Sequence, residues 1–533
     1  MEFIPIYLIF IPIISALIIY LVHDKRINYL VFFSQSLMTI LAIVYFMYFD
    51  KLARPQLIKL GGWPRELGIS LFIDRLSMAF IFLSIFIWWM VLIYEWHRSK
   101  EEFKFLFFLL FLEGVFIAFL QSNDIFNLYV LLEIITILSA ILIIYKKDGY
   151  SVKSGLFYLL FNSVGVSFYL IGLILLYSLT GTLNMGVIAD RIAAFENTEL
   201  VRLAYVFIFS AVGVKSALFP VYTWLPRAHG AAPASISALL SGLLVKSGLY
   251  AFIRMNQMFN ITILYDFFFI LGFITGLSGV IFALSQKDIK QILAFHTISQ
   301  IGIILMGLSA MEGELYIGGV LHIFNHAIFK ALLFLGAGII INRYGTRRIT
   351  EIRGVFKESP VISIFMIVGI LAITGAPMFN GFISKSIIKY GLKMELWKVI
   401  LLQILNLGTA TSFIKFSQMF FGTSHVNKIK EKGSTIVLGI LAIACVVFGL
   451  FIVDILDLIV GIDISFVTIF SFKYLIEYLV TLGIGYIIYK VIIDKDYPVI
   501  QKLRHLNVSF QSTNAMLIGF ICIMIIWIKL RSG

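Results

Sequence analysis

Apolar runs of about 20 residues recur from one end of the chain to the other, separated by short polar stretches. Each run is long enough to cross a bilayer as a helix, because about 20 residues at 1.5 Å per residue span the hydrocarbon core. The pattern predicts about sixteen such helices, from 3–22 and 29–49 through to 468–490 and 513–530. Among them helix seven is placed at 200–220, helix eight at 233–254, helix eleven at 315–341, helix twelve at 359–380 and helix thirteen at 397–421. An all-α polytopic membrane protein with about 14–16 transmembrane helices is the expected fold class.

Two of the runs are broken. Helix seven leads into a segment that contains Pro220, Trp224, Pro226, His229 and Pro233, with Lys215 before it and Lys246 after it. Helix twelve breaks at TGAPMFNGF (374–382) and is followed by Lys385. A Pro- or Gly-interrupted helix is tolerated at membrane depth only where protein or a wet cavity satisfies the freed backbone groups. Broken helices in corresponding positions point to an internal repeat with an ion site near the midplane. The two breaks lie five helices apart, and an odd offset implies opposite orientations, as inversion requires.

Composition agrees. The chain has 533 residues, 60% of them hydrophobic and 13% charged, and its mean hydropathy of +1.00 lies outside the soluble range. It opens Met1-Glu2-Phe3 with no basic stretch, so the first run is expected to be a retained helix rather than a cleaved signal. The net charge of +13 does not indicate nucleic acid. Its basic residues lie in short loops, where they set topology and meet lipid. They concentrate after odd-numbered helices, as with Lys25 and Arg26, Arg98 and Lys100, Arg347 and Arg348, or Lys428 and Lys430. The positive-inside rule therefore puts both termini outside. Residues 50–66, with a GGWP turn that suits an ordered external hairpin, and residues 389–398, with Lys389, Lys393 and Lys398, run against this trend. The only cysteines, Cys445 and Cys522, are far apart in apolar runs, which excludes a Cys-ligated cluster in this chain. No cofactor is expected.

The polar residues inside the spans are the candidate chemistry. Glu113 and Glu133 are lone carboxylates in apolar helices. Burial raises a carboxyl pKa and lowers that of a lysine, and pairing opposes both shifts. A Glu133–Lys215 pair that opens and closes is thus a proton-affinity switch, and a static structural pair is the alternative. Glu113, beside Gly114, fits either a proton site or a helix-packing carboxylate. Lys246 lies mid-run near Gly242 and Gly248, too deep for easy snorkelling. His322, His326 and Lys330 are spaced i, i+4, i+8 and share one helical face, which suits a proton relay. A metal site is the competing reading of H-x-x-x-H, but the adjacent Glu of a zincin motif is missing. His296 belongs to an unusually polar stretch with Thr297, Ser299 and Gln300, either relay or helix–helix glue. Lys385 marks the far end of such a path or an interfacial lysine. Lys415 on helix thirteen corresponds to Lys246 in the repeat.

These residues carry a resemblance. AVGVKSALFPVYTWLPRAHGAAPASISALL, LLVKSGLY, QKDIKQILAFHTISQIG, HIFNHAIFKALLFL and GAPMFNGFISK, in that order over roughly 70–425, resemble the antiporter-like membrane subunits. That family is shared by respiratory complex I, Mrp-type Na+/H+ antiporters and membrane-bound hydrogenase-type complexes, and the wording is closest to the Mrp and hydrogenase branch. The resemblance implies two inverted five-helix repeats, helices four to eight (103–254) and nine to thirteen (262–421). These are flanked by helices one to three (1–102) and by C-terminal helices (435–533). It implies that Glu133 and Lys215 form the coupling pair, that Lys246, His322, His326 and Lys330 continue a hydrated axis, and that Lys385 ends it. It implies partners: other membrane subunits of a hetero-oligomeric complex, further antiporter-like subunits among them. Protons, sodium ions or both are the expected cargo, with lipid around a cell-membrane protein. The short connection before the last helix departs from the largest family type, which has a long lateral helix there. A free-standing solute transporter, a quinone-binding redox subunit and a scaffold with vestigial ion residues are the rival readings.

Overall fold

The computed structural model describes residues 1–22, 27–52, 54–96, 102–194, 199–260, 264–423, 432–452 and 470–532. Lys25, Arg26, Arg98, Lys100, Lys428 and Lys430, and parts of the runs expected at 435–459 and 468–490, lie outside the described residues. Among the described residues, fourteen helices are long and apolar enough to cross a membrane, from Ile4–Val22 to Phe510–Leu530. The chain is an all-α polytopic membrane protein. The runs read as helices seven and twelve fall outside that set because both are interrupted. The first stops at Lys215 after 17 residues, Glu199–Lys215, and the second at Thr374 after 15, Pro360–Thr374. The second break needs glycine: Gly375 holds φ at 83°, a left-handed conformation that residues with a Cβ adopt at a cost. The helix Asn380–Gly391 then resumes with Lys385 in its second turn.

One small sheet accompanies the helices. Gln56–Lys59 pairs antiparallel with Ser70–Ile73, so the expected hairpin exists but reaches further along the chain than 50–66. In the other stretch that ran against the charge trend, Lys389 and Lys398 lie inside helices, and only Lys393 occupies the connecting loop. Lys398 is buried between Asp266 at 2.9 Å and Glu395 at 2.7 Å, with its ammonium over the Tyr265 ring.

The chain forms two compact units. One comprises 1–216, 243–261 and 514–533; the other comprises 217–242 and 262–513. The same set of elements recurs once in each. In the first, the Asp124 carboxylate caps Ile125–Ile144 by accepting from the Asn127 amide, and Asp124 bridges to Asn184. In the second, Asp288 caps Ile289–Leu308 through the Lys290 and Gln291 amides, and bridges to Arg348. Capping side chains of this kind satisfy amides that have no partner within the helix. Between each pair of bridged residues runs a helix of 32 residues, Gly149–Thr180 or Gly313–Tyr344. The corresponding positions are equally spaced in both sets.

Within the first unit, Ile4–Val22 lies against Phe103–Gln121 so closely that a Cβ on Gly114 would meet Ile9 O at 2.7 Å. Within the second, Tyr265–Ser285 and Ile289–Leu308 touch backbone to backbone. A Cβ on Gly302 would collide with the Gly276 nitrogen. Small residues allow this approach, and packing contact takes over from the hydrophobic effect inside a membrane. Ile289–Leu308 and Gly313–Tyr344, which carry His296, His322, His326 and Lys330, are almost wholly buried.

Candidate functional site

In the first unit, Lys215, at the end of Glu199–Lys215, reaches the helix Ile125–Ile144 that bears Glu133 without forming an ion pair with it. Glu133 is half-buried, and its Oε2 accepts from Ser163 Oγ at 3.1 Å. The buried Lys215 ammonium instead donates to Leu132 O at 3.3 Å and to Thr136 Oγ1. Its partners therefore flank Glu133 in sequence, one residue before it and three after. The helix that bears the fully buried Lys246 reaches this site through Gly248, where a Cβ would stand 2.6 Å from the Ser216 nitrogen. That helix widens to a π-turn over Leu240–Leu244, immediately before Lys246. Such turns are frequent at functional sites. Its far end is anchored by Arg254, whose guanidinium grips Asp74 with two bonds of 2.7 Å and also donates to Tyr250.

Glu113 is fully buried as well, but it stands apart from this group. Its Oε2 accepts from Gln35 Nε2, and its Oε1 has no hydrogen-bond partner. Its neighbour Gly114 serves the tight packing against the first helix.

In the second unit, His322 is held on both ring nitrogens. Nδ1 lies 2.8 Å from Ser384 Oγ and Nε2 3.1 Å from Gln300 Oε1. An amide oxygen only accepts, so Nε2 carries the hydrogen and Nδ1 takes the serine hydroxyl in the neutral ring. Asn325 Nδ2 donates to Asn380 O at 2.7 Å and to Ser384 Oγ at 3.1 Å, tying the histidine helix to the restarted half of the broken one. Lys385, beside Ser384, donates to Ile373 O at 2.7 Å, a carbonyl in the last turn of Pro360–Thr374. Lys415 likewise caps a helix end, donating to Ala283 O, Leu284 O and Gln286 O at 3.0, 2.6 and 2.7 Å. Helix C-termini carry partial negative charge, so they stabilise a cation without a carboxylate. Lys330 donates to Leu293 O at 2.5 Å, and the His326 ring stands 6.5 Å from that of His322. His296 packs against Phe413 at 4.8 Å, and neither of its ring nitrogens has a protein partner. The Ser299 and Ser412 hydroxyls are also buried without one. His229 stacks on Phe334 at 4.6 Å.

Glu133, Lys215 and Lys246 thus fall in the first unit, and His296, His322, His326, Lys330, Lys385 and Lys415 in the second. Sequence reasoning missed Thr136, Ser163, Asn325, Asn380 and Ser384. The signal was there for Thr136, Ser163 and Asn325, polar side chains inside apolar spans, while Asn380 and Ser384 lie in and just after the second break. The carbonyl partners left no signal, because any residue supplies one.

A polytopic helical chain that interrupts two spans and buries lysines and histidines on carbonyls and hydroxyls is a membrane protein built to keep charge inside the bilayer. The profile of the family described as "NADH:quinone oxidoreductase/Mrp antiporter, TM" matches residues 122–414, and the chain belongs to that family. It is 34% identical over 337 residues to a Na(+)/H(+) antiporter subunit of Alkalihalophilus pseudofirmus, covering 62% of this chain and 68% of that protein. It is 29% identical over 455 residues to the putative antiporter subunit mnhD2 of Staphylococcus aureus, covering 82% and 91%. Among solved structures, a chain of the membrane-bound sulfane sulfur reductase, an archaeal respiratory membrane complex, superposes with a TM-score of 0.80 at 28% identity, covering 90% of this chain and 99% of that one. A chain of the Mrp complex from Dietzia sp. has the same fold, with a TM-score of 0.73 at 20% identity over 96% and 99% of the two chains.

Proposed function

We propose that the chain is an ion-translocating, antiporter-like subunit of a multisubunit complex in the cell membrane, with both termini outside. Lys246, Lys215 and Glu133 bind and release protons in the first unit; His326, His322, Lys330, His296 and Lys385 do so in the second. The observation that carries this reading is the separation of Glu133 from Lys215. Each holds a neutral partner, and Lys215 rests on the carbonyl and hydroxyl on either side of the carboxylate it would pair with. Closing and opening that pair changes the proton affinity of both groups. The buried ring nitrogens of His296 and the hydroxyls of Ser299 and Ser412 are groups whose partners are water in a conducting state, since buried polar groups are rarely left unpaired. The recurrence of capped helix, long helix and broken helix supports two repeats, 103–254 and 262–421, read as inverted. Neighbouring subunits of the same family are the expected partners, because the similar proteins are named as antiporter subunits or come from membrane complexes. Sodium ions travel by the same subunit or are exchanged elsewhere in the complex. In the assembled complex, Glu133→Ala or Lys215→Ala should abolish proton or sodium movement and leave assembly intact. Full transport in both variants would sink the assignment.

A further inference from the structure

We propose that the second unit binds the phosphate headgroup of an anionic phospholipid in a cavity of about 380 Å³ beside the break after Thr374. Four lysines line it, Lys385, Lys389, Lys393 and Lys473, against a single carboxylate, Glu477. Lys389 and Glu477 neutralise each other at 3.0 Å. None of the other three lysines pairs with a carboxylate among the described residues. Lys385 donates to a carbonyl, Lys393 lies 3.9 Å from the Tyr390 ring centroid, and Lys473 makes no ion pair among the described residues. Carbonyl and ring ease a cation without cancelling it, so the cavity has a net affinity for an anion.

What surrounds the cavity selects among anions. It lies at the ends of spans: the C-terminal end of Asn380–Gly391 and the N-terminal ends of Leu396–Ser417 and Phe472–Ile488. Lys393 and Lys473 stand at those ends, where a bilayer places its headgroups, and tyrosines in the wall are typical of that level; the cavity runs inward from there to Thr374, Gly375 and Lys385. Phe472, Ile476, Leu479 and Val480 continue away from it along a mostly exposed span, with 76%, 59%, 55% and 54% of their surfaces open. A molecule with a phosphate at one end and acyl chains at the other satisfies both the lysines and this apolar strip. Inorganic phosphate satisfies the lysines alone. The inference is independent of which ion the chain moves.

Native mass spectrometry of the full chain, released from neutral detergent, tests it. The protein is equilibrated with equal amounts of phosphatidylglycerol and phosphatidylcholine of identical acyl chains. The native chain should retain phosphatidylglycerol in preference by roughly tenfold, and a Lys393→Gln/Lys473→Gln double variant should bring the ratio close to one. Lys393→Arg/Lys473→Arg should keep the preference, because guanidinium also holds phosphate. Lys490→Gln, at the other end of the same span, should leave it unchanged, and so should millimolar inorganic phosphate. Equal retention of the two lipids by the native chain overturns the proposal. So does an unchanged preference in the double glutamine variant, an equal loss from Lys490→Gln, or a loss of preference in the arginine variant. Displacement of phosphatidylglycerol by inorganic phosphate would reassign the cavity to a soluble anion.

Discussion

Replacing Ser384 by alanine should slow proton movement without unfolding the protein. In the neutral ring of His322, Nδ1 accepts the Ser384 hydroxyl at 2.8 Å while Nε2 donates to Gln300. When the ring takes up a proton, Nδ1 becomes a donor, and the hydroxyl rotates to accept from it. Both protonation states thus keep both bonds, and the backbone does not move. The bond is worth about 1 kcal/mol in the neutral state and about 1.5–3 kcal/mol once the ring is charged. Losing it therefore disfavours the charged ring by about 0.5–2 kcal/mol, or roughly two- to thirtyfold in proton affinity. Fluorescence quenching by a pH-sensitive dye in inverted vesicles that carry the assembled complex reads the initial rate. Ser384→Ala should fall by about that factor, and Ser384→Thr should keep most of the rate. In a His322→Gln background, Ser384→Ala should add nothing, because the group it serves is gone. A native rate in Ser384→Ala, or an undiminished effect in the His322→Gln background, refutes the relay.

Arg254→Met leaves the Asp74 carboxylate without its buried partner and should cost about 3–5 kcal/mol, with Asp74→Asn added to it restoring part; thermal unfolding in detergent measures this, and equal Tm values for the single variant and the native chain would contradict it. Gly248→Ala puts a methyl against Ser216 Oγ and 2.6 Å from its nitrogen, so it should destabilise by about 1–3 kcal/mol and slow transport by moving Lys246 away from Lys215; an unchanged Tm together with a native rate would argue against the contact. The Arg504 hydrogen bond, with Lys287 also donating, outweighs partial burial and draws the Asp496 carboxyl down from 3.8 to about 2. A carboxyl that titrates lower in the folded state stabilises fully above the ordinary value and loses that contribution as pH falls through 2. Asp496→Asn should therefore lower Tm at neutral pH and match the native chain near pH 2, and a constant difference across that range would be inconsistent with it.

The spans and both breaks were legible because a bilayer imposes length and apolarity on every crossing, and because Pro220, in one case, and Gly375 and Pro377, in the other, follow closely on the helix ends. The buried cations were legible for a similar reason, since Lys215, Lys246, Lys330 and Lys385 have no place in lipid. Their partners were not. Lys215 faces Leu132 O and Thr136 rather than Glu133, and Lys385 and Lys415 rest on the carbonyl ends of helices. A four-carbon side chain reaches several such groups, and carbonyls are the same at every residue. The tie between Arg254 and Asp74 was hidden by distance along the chain. Glu113, like Glu133 a lone carboxylate in an apolar span, stands on Gln35, away from the lysine group.

The most direct test of the central claim is the proton flux of the reconstituted complex with Lys215 replaced by arginine, read with a pH-sensitive dye trapped inside the vesicles. Arginine preserves the positive charge and can still donate to Leu132 O and Thr136, but it does not release a proton at any accessible pH. If Lys215 itself passes protons, Lys215→Arg assembles normally and its flux falls to the level of Lys215→Ala. A native flux in Lys215→Arg, with Lys215→Ala inactive, would mean that only a fixed charge is required there, and the proton would have to travel another way.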